Sequence, residues 1–257
     1  MQLKRYAAAT DVGLQRSNNE DCYLCNPESG LWLVADGMGG HAAGEVASEV
    51  ASRTIKDGIV KGSPLTESIQ DGHHAILRAV SDGIGGQGMG STIVAMHSIG
   101  SQYEVAWVGD SRAYLWSPNS PSPLKQLTRD HSYVQMLYES GAIAQEELQT
   151  HPEKNIITQC LGSMDLDYVQ VETLKGQWQD QEVILLCSDG LSDYVSADEI
   201  QQTMSEKKEL SAATDALIQK ALAAGGRDNI TVVTVSSPDR WTRIVENVRS
   251  FFSRSRI

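Results

Sequence analysis

The chain has no apolar run long enough to cross a membrane. Charged residues interrupt its 257 residues so often that no stretch approaches the roughly 18 consecutive apolar residues of a transmembrane helix. The first residues, 1–9, also lack the apolar core of a secretory signal peptide. We therefore expect a soluble, cytoplasmic protein with one large domain or two small ones.

Basic residues are also in short supply. The chain has 21 Lys and Arg against 33 Asp and Glu, which gives a formal net charge of −12. The phosphate backbone of a nucleic acid selects basic surfaces. This balance of charge therefore argues against nucleic acid as a partner.

Cysteine is scarce as well. Of the four cysteines, Cys22 and Cys25 have C-x-x-C spacing, but the chain contains no second C-x-x-C. Their segment is predicted to be a strand, in which residues three apart face opposite sides of the sheet. We expect reduced, mostly buried thiols rather than a zinc or redox site.

Short segments rich in β-formers alternate with amphipathic helical patterns. Strands are predicted at residues 5–11, 21–25, 31–36, 92–97, 103–108, 113–116, 168–173, 183–187 and 230–235. Helices are predicted at residues 44–56, 65–81, 133–140, 144–149, 197–204 and 211–224. Connections such as 98–102 are too short for a helical crossover, so neighbouring strands should pair antiparallel. The order predicts an α+β fold, a four-layer α-β-β-α sandwich of two antiparallel sheets flanked by helices.

Four aspartates stand at the ends of predicted strands, each beside a glycine or a small polar residue. They are Asp36, Asp110, Asp189 and Asp228, in the motifs VADGMGG, VGDSR, CSDG and GRDN. One Asp-Gly pair usually marks a turn, but four carboxylates at strand ends can converge on one point. Converging carboxylates repel each other unless a cation lies between them, and hard divalent cations prefer oxygen ligands. The pattern predicts a metal-centred catalytic site.

Together with further motifs, these aspartates resemble the bacterial branch of the metal-dependent protein phosphatases, the type 2C or PPM serine/threonine phosphatases. The further motifs are TDVG at residues 10–13, Arg16, NED at 19–21 and MGST at 89–92. The resemblance runs in order from Tyr6 to Val235. It implies a phosphatase domain over residues 1–237 with the same four-layer fold and a mobile flap at about 128–162. A plain helical hairpin is the alternative for that segment.

The resemblance also implies an activity. The chain would hydrolyse phosphoserine and phosphothreonine by attack of a metal-bridging hydroxide, without a phosphoenzyme intermediate. Two core ions, Mg²⁺ or Mn²⁺, and a third, weaker ion would be bound. The partners would be phosphorylated proteins, so that the enzyme opposes Ser/Thr kinases, and we expect a monomer.

The ligand positions follow from matching the motifs residue by residue. Asp36 would bridge the two core ions, because its strand carries it to a sheet edge and the glycines after it allow close approach. The remaining core ligands implied by the resemblance are the Gly37 carbonyl, Asp189, Asp228, Glu20 and Asp21, the last two partly through water. Asp110, sharing Asp189, would hold the third ion. The alternative for Asp110 is a turn residue that caps Ser111 or Arg112.

Two further residues would act on the substrate. Arg16 matches the family's phosphate-binding arginine, and a planar, permanently charged guanidinium suits a phosphate. In contrast, we expect structural ion pairs from Arg112 and Arg227. In the eukaryotic branch of the family a histidine general acid directly follows the bridging Asp-Gly. Met38 stands there in this chain, and His41, three residues later, is either the catalytic acid or a cap of the next helix.

The other histidines show no ligand pattern. We expect surface positions for His73 and His74 and a core position for His97. At the borders of the predicted flap, His131 and His151 either steer substrate or simply lie at the surface.

Three other functions are alternatives to a phosphatase. Residues 37–42, GMGGHA, satisfy the dinucleotide-binding pattern G-x-G-x-x-G/A between a strand and a helix, but Asp36 would then face an anionic pyrophosphate. A calcium-binding module is disfavoured because the acids are scattered rather than packed into one short loop. The alternative that stays open is a catalytically inactive pseudophosphatase scaffold for protein binding. Turnover of p-nitrophenyl phosphate with and without manganese distinguishes the enzyme from the scaffold.

The resemblance does not cover residues 238–257, a basic amphipathic C-terminal tail. The tail carries five Arg against two acids and contains both phenylalanines of the chain. Trp241, Val248 and Phe252 belong to an apolar series at three-to-four spacing, so a helix here would have one apolar and one basic face. Such a segment either docks on the acidic body of its own chain or binds an anionic membrane surface or a partner protein.

Truncation after Ser237 distinguishes these two roles. We expect a structural tail, in which case the melting temperature falls and the truncated protein behaves like the full chain on anionic vesicles. For a tether, the melting temperature would hold while binding to vesicles or to a cell-extract partner disappeared. A full-length protein that binds neither would rule out the tether.

Overall fold

In a computed structural model of the chain, the described residues are 6–39 and 43–238. Their strands are β1 (Tyr6–Asp11), β2 (Asp21–Asn26), β3 (Leu31–Met38), β4 (Gly90–Ser91), β5 (Ile93–Ile99), β6 (Gln102–Val108), β7 (Arg112–Trp116), β8 (Leu124–Gln126), β9 (Glu172–Gln177), β10 (Val183–Cys187) and β11 (Ile230–Ser236). Their helices are α1 (Ala43–Lys61), α2 (Leu65–Ser81), α3 (Tyr133–Glu139), α4 (Asp189–Ser192), α5 (Ala197–Glu206) and α6 (Leu210–Ala223). None of these helices is long and apolar enough to cross a membrane. Apart from Pro238, the predicted C-terminal tail lies outside the described residues.

The strands form two antiparallel sheets. The first sheet has the order β1-β11-β10-β7-β8, and the second has the order β2-β3-β5-β6-β9, with β4 paired to β3. Neighbours such as β5 and β6 pair antiparallel across a short turn, as the connection lengths predict. The helices α1 and α2 pack on the second sheet, and α5 and α6 pack on the first. The predicted four-layer sandwich is confirmed.

Strand β3 shows how the layers are held together. Successive side chains point to opposite faces of a strand. Leu31 and Leu33 pack beneath α1 and α2, whereas Trp32 and Val34 pack between the two sheets. All four are buried. Dense packing on both faces fixes the course of β3 and therefore the place where it ends.

The same alternation separates the two cysteines of the C-x-x-C pair. Cys22 packs against the apolar cluster beneath α1 and α2, and Cys25 packs against the cluster between the sheets. Both thiols are free and partly buried. The spacing therefore does not create a shared site.

Several element bounds differ from the sequence prediction. β9 begins at Glu172 rather than at 168, because Val169 and Val171 pack against the helix-side cluster from a loop instead of forming the strand. α1 continues to Lys61, beyond the predicted end at 56. The predicted helix at 144–149 is reduced to a single 3-10 turn at Gln145–Glu147. The very short elements β4, β8 and α4 contain too few residues to show a periodic pattern, and the sequence does not predict them.

The segment 128–162 contains α3 and this 3-10 turn, not the helix pair of a plain hairpin. Its two ends are attached to the body of the fold. Ser132 forms a bridge to Ile157 at the base of the segment, and Leu161 forms one to Ser91 of β4. Movement of the segment as a flap stays a prediction.

A buried ion pair attaches β7 to the start of this segment. Arg112 Nη2 lies 2.6 Å from Asp130 Oδ2, and the two side chains are only 14% and 12% exposed. We expect Asp130→Asn to lower the free energy of unfolding by about 3 kcal/mol, because it leaves a buried guanidinium without its charge partner. Urea denaturation measures this change.

The exposed pair between Glu49 and Arg53 on α1 provides the control. Glu49→Gln should change the free energy of unfolding by no more than about 0.5 kcal/mol, because water already solvates both groups. Similar losses for the two variants would contradict the difference attributed to burial.

Candidate metal centre

Two acids of the second sheet face each other at one edge of the sandwich. Asp36 lies near the end of β3, and Asp21 is the first residue of β2. The antiparallel register places the two residues directly opposite each other. Side chains of opposite residues in such a register stand side by side. Glu20 directly precedes Asp21, so a third carboxylate reaches the same edge.

Three further aspartates reach this edge from other parts of the fold. Asp189 is the first residue of α4, directly after β10. Asp228 precedes β11, the neighbour of β10 in the first sheet. Asp110 lies in the turn between β6 and β7, where the chain passes from the second sheet to the first.

The carboxylates are close enough to perturb each other's ionisation. Burial, followed by repulsion from Asp21 and Asp189, holds the pKa of Asp36 well above its ordinary value. Burial and repulsion from Asp110 likewise raise the pKa of Asp189. Burial is also the main reason that the pKa of Asp21 rises to about 6 and that of Asp110 to about 7. A bound cation would relieve this repulsion.

The donor atoms fit a hard divalent ion. Asp21 Oδ1 and Asp189 Oδ1 are buried without a hydrogen-bond partner among the described residues, whereas buried polar atoms normally have one. The candidate ligands are all oxygen atoms, which Mg²⁺ and Mn²⁺ prefer. Within 6–39 and 43–238, no three acidic, histidine or cysteine side chains already stand in a geometry that could hold an ion.

Gly37 lies in a space that admits no side chain. A Cβ at this position would lie 2.1 Å from the carbonyl oxygen of Gly44 and 2.6 Å from that of Glu20. The Gly37 N–H donates to the Glu20 carbonyl at 3.1 Å. Glu20 lies at the same crowded point, and its pKa is raised, chiefly by burial. Only glycine lets the end of β3, the start of α1 and the loop before β2 meet here.

Ser188 joins the two sheets at the site. Its Oγ donates to Asp21 Oδ2 at 2.7 Å and accepts from the backbone N–H of Thr231 at 3.0 Å. One carboxylate oxygen of Asp21 is thereby fixed, while the other is left available. Sequence reasoning missed this role, because nothing local to Ser188 identifies a partner 167 residues away.

Thr92 fixes the backbone of Asp36, the candidate bridging ligand. Its Oγ1 accepts from the backbone N–H of Asp36 at 3.2 Å and forms a hydrogen bond with Ser111 Oγ at 2.7 Å. The end of β3 is thereby linked to the turn that carries Asp110. The MGST motif contains Thr92, but the sequence does not show what its hydroxyl contacts.

Asn229 organises the loop between β1 and β2. Its Nδ2 donates to the carbonyls of Val12 and Asn18, both at 2.9 Å, and its Oδ1 accepts from the backbone N–H of Glu20 at 2.7 Å. Both donors and the acceptor of this buried amide are used. The loop also carries Arg16, so Asn229 determines the position from which that residue reaches the site.

The three arginines differ in their surroundings. Arg16 Nη2 lies 2.7 Å from Asp228 Oδ2, and 52% of the Arg16 side chain is exposed. Arg112 is buried in its pair with Asp130, as predicted for a structural arginine. Arg227 is exposed, and the predicted ion pair is not found between it and any described acid.

The histidine predictions have mixed outcomes. His41 lies outside the described residues, so its role stays a prediction. The surface position predicted for His73 is wrong, because this side chain is fully buried. Its Nδ1 accepts from the Gly162 N–H, and its Nε2 donates to the Leu166 carbonyl, both at 3.0 Å. A buried imidazole with both nitrogens bonded to backbone is a structural residue.

Comparison with known proteins agrees with this arrangement. A family model described as Protein phosphatase 2C matches residues 15–225. The serine/threonine phosphatase stp of Listeria welshimeri is 38% identical over 239 residues, which cover 88% of this chain and 93% of that protein. The crystal structure of the serine/threonine phosphatase PstP/Ppp of Mycobacterium tuberculosis has a TM-score of 0.82 at 35% identity, covering 91% of this chain and 98% of that one. A structure of the PstP catalytic domain in complex with two manganese ions has a TM-score of 0.78 at 34% identity, covering 91% and 98%.

The chain belongs to the protein phosphatase 2C family. It is a protein serine/threonine phosphatase, a hydrolase that acts on phosphorylated proteins. The family predicted from the order of the motifs is therefore confirmed, and the inactive scaffold is not supported.

Burial and repulsion of the carboxylates at the site predict a pH-dependent stability for the metal-free protein. The pKa of Asp21, about 6, and that of Asp110, about 7, exceed the ordinary value of about 4. The folded state should therefore lose stability as the pH rises through these values. The pKa of buried His73 is lowered, chiefly by burial. Its contribution therefore makes the folded state less stable as the pH falls, the opposite of the effect of the aspartates. A comparison with Asp36→Asn isolates the cluster, since the histidine contribution cancels.

We expect metal-free Asp36→Asn to melt at a higher temperature than the metal-free parent at pH 8. The difference should shrink at pH 5, where the parent's cluster is largely protonated. Thermal unfolding in the presence of a chelator measures both. Asp215→Asn on the exposed face of α6 is the control and should show no such pH dependence. An Asp36→Asn difference that is equal at the two pH values would contradict the repulsion.

Proposed function

We propose that the acidic edge of the sandwich binds two divalent ions, Mg²⁺ or Mn²⁺, and hydrolyses phosphoserine and phosphothreonine in proteins. The proposed ligands are Asp36, the Gly37 carbonyl, Asp189, Asp228, Glu20 and Asp21. The observation that carries this proposal is the gathering of aspartates whose pKa values are raised by burial and then by one another, two of them with an unpartnered buried oxygen. The structure of the PstP catalytic domain in complex with two manganese ions supports the number of ions. When bound, such ions supply an activated water and offset the charge of the phosphoryl group.

Asp36 is the proposed bridging ligand. Burial, followed by repulsion from four other aspartates, raises its pKa, and the four, Asp21, Asp189, Asp110 and Asp228, support a central position for it. Its backbone is held on both sides, because the N–H donates to Thr92 Oγ1 and the carbonyl accepts from the Thr92 N–H at 2.8 Å. A carboxylate on a fixed backbone can contact two ions without a change in fold.

Asp110, together with Asp189, is the proposed site of a third, weaker ion. Repulsion from Asp110 is the largest charge effect on the pKa of Asp189, which supports their closeness. A cleft of about 220 Å³ lies beside both residues, and Leu148 and Lys154 of segment 128–162 line it as well. The cleft supports the proposal that this segment acts as a flap over bound substrate.

Arg16 is the proposed phosphate-binding residue. Among the described residues, its guanidinium is held near the acids only by an exposed ion pair with Asp228, and such pairs contribute little to stability. The side chain can therefore exchange a carboxylate for a phosphate, to which it can donate two parallel hydrogen bonds. His41 is kept as the candidate general acid for the leaving group, with helix capping as its alternative. The enzyme would oppose Ser/Thr kinases in the cytoplasm as a monomer.

The bridging role predicts a large loss of activity for Asp36→Ala. Turnover of a phosphopeptide should fall on the order of 10³-fold or more, because the variant loses a ligand shared by two ions. The variant should still fold, since relief of repulsion offsets weaker metal binding. Asp215→Ala is the matched control and should retain full turnover. An Asp36→Ala enzyme with more than a tenth of the parent's turnover would refute the assignment.

The role of Arg16 predicts a different kinetic pattern. Arg16→Ala should raise KM more than it lowers kcat, because a contact made in the ground state is lost. Arg227→Ala is the control, since Arg227 is exposed and adjoins Asp228 without an ion pair to a described acid. Steady-state kinetics on a phosphopeptide measure both variants. An unchanged KM with an equal loss in kcat and kcat/KM would remove Arg16 from ground-state binding.

A further inference from the structure

His131 contacts two separate parts of the fold at the beginning of segment 128–162. Of the two alternatives for it, the surface position is wrong, because only 7% of the residue is exposed. Its backbone N–H donates to the Gly109 carbonyl at 2.9 Å, and its carbonyl accepts from the Thr158 N–H at 2.8 Å. In addition, its Nδ1 accepts from the Gly109 N–H at 3.2 Å. One residue therefore joins both ends of the segment to the turn after β6.

Gly109 is the residue directly before Asp110, and both of its backbone polar groups are bonded to His131. Its φ of +105° is a conformation that residues with a side chain rarely adopt, and a Cβ here would lie 2.6 Å from Thr92 Cβ. The turn is thus held in an unusual conformation by its neighbours. Because Gly109 is fixed, the backbone of Asp110 is fixed with it.

The proton of the imidazole must lie on Nε2, since Nδ1 accepts a hydrogen bond. Nε2 faces Glu172 Oε1 at 3.5 Å, a distance at the limit of hydrogen bonding. Burial, the largest influence, lowers the pKa of His131 and favours the neutral form in which Nδ1 can accept. The well-formed contact of the side chain is therefore the one to Gly109.

We propose that His131 is a positioning residue for the phosphatase reaction: its Nδ1 holds the Gly109 turn so that Asp110 is aligned with the acidic cluster. His131 acts through this turn and does not contact the substrate itself. The inference rests on the proposed role of Asp110 in holding a third ion. Through His131, the base of segment 128–162 and the turn that carries Asp110 are held together.

Three substitutions separate the two nitrogens of the ring. His131→Leu removes both. His131→Asn places its Oδ1 where Nδ1 stands, and His131→Gln reaches the position of Nε2 but leaves Gly109 without an acceptor. His74→Leu is the matched control, since His74 lies on α2 outside the segment and its Nε2 bonds to the Asp167 carbonyl at 3.0 Å, away from Gly109.

The direct measurement is hydrogen exchange of the Gly109 amide, followed by NMR. We expect this amide to exchange about tenfold faster in His131→Leu and His131→Gln, since it loses its acceptor, and to recover protection in His131→Asn. Turnover of p-nitrophenyl phosphate should fall by about tenfold in the same two variants, as one unpaired buried N–H implies. The loss should be greatest at low manganese concentration, with KM little changed, and His74→Leu should match the parent in every measurement.

Rescue by asparagine but not by glutamine is the outcome that a merely structural role would not produce. Equal behaviour of His131→Asn and His131→Gln would overturn the proposal, as would an unchanged Gly109 exchange rate in His131→Leu. If His131→Leu fails to fold, the comparison of His131→Asn with His131→Gln still tests the positioning role.

Asp110→Ala, measured in parallel, tests the proposed third ion separately. If the manganese dependence of Asp110→Ala equals that of the parent, the third-ion role of Asp110 is refuted irrespective of His131. If Asp110→Ala changes the manganese dependence while His131→Gln does not, the positioning role of His131 is refuted instead. Parallel changes in both variants support the inference.

Discussion

Mutual repulsion of carboxylates at one edge of a double sheet is the constraint on which the rest of this structure depends. A buried carboxylate without a partner is unfavourable, and here several lie together. They cannot separate, because β10 and the part of β3 before Asp36 are buried and set the positions of Asp189 and Asp36. Moving either strand would disrupt apolar layers that are packed to high density. Apolar packing therefore holds the charged groups in an arrangement that they would not adopt by themselves.

The hydrogen bonds around the cluster connect distant parts of the chain. Ser188 reaches Asp21, Asn229 reaches the loop before β2, and Thr92 reaches the turn after Asp110. The contacts of Ser188 and Asn229 cannot form within one hairpin or one helix. The site therefore appears only when both sheets have come together, and contacts of such long sequence separation form slowly in folding. Rigidity at the site follows from closure of the whole sandwich.

The sequence was most informative where local patterns coincide with function. Short connections predict antiparallel pairing, and Asp36 or Asp189 could be placed at a strand end because the apolar run before each one is clear. Prediction was wrong where packing between distant segments decides, as for β9, whose apolar signal comes from loop residues. It was also wrong for the buried histidines His73 and His131, because their partners are backbone groups with no residue-specific signature. Likewise, no sequence motif predicts the ion pair between Arg16 and Asp228.

The pairing of β1 with β11 has a consequence for how this fold can be joined to other chains. The register places Tyr6 opposite Val235, so the first and last strands of the sandwich begin and end side by side. Asp11 and Asp228 stand at the other end of these two strands, about 20 Å away. A short peptide could connect the two ends, and new termini could then be opened in a surface loop elsewhere. Such a circular permutant, or a fusion made at this end, would leave the entrance to the catalytic edge uncovered.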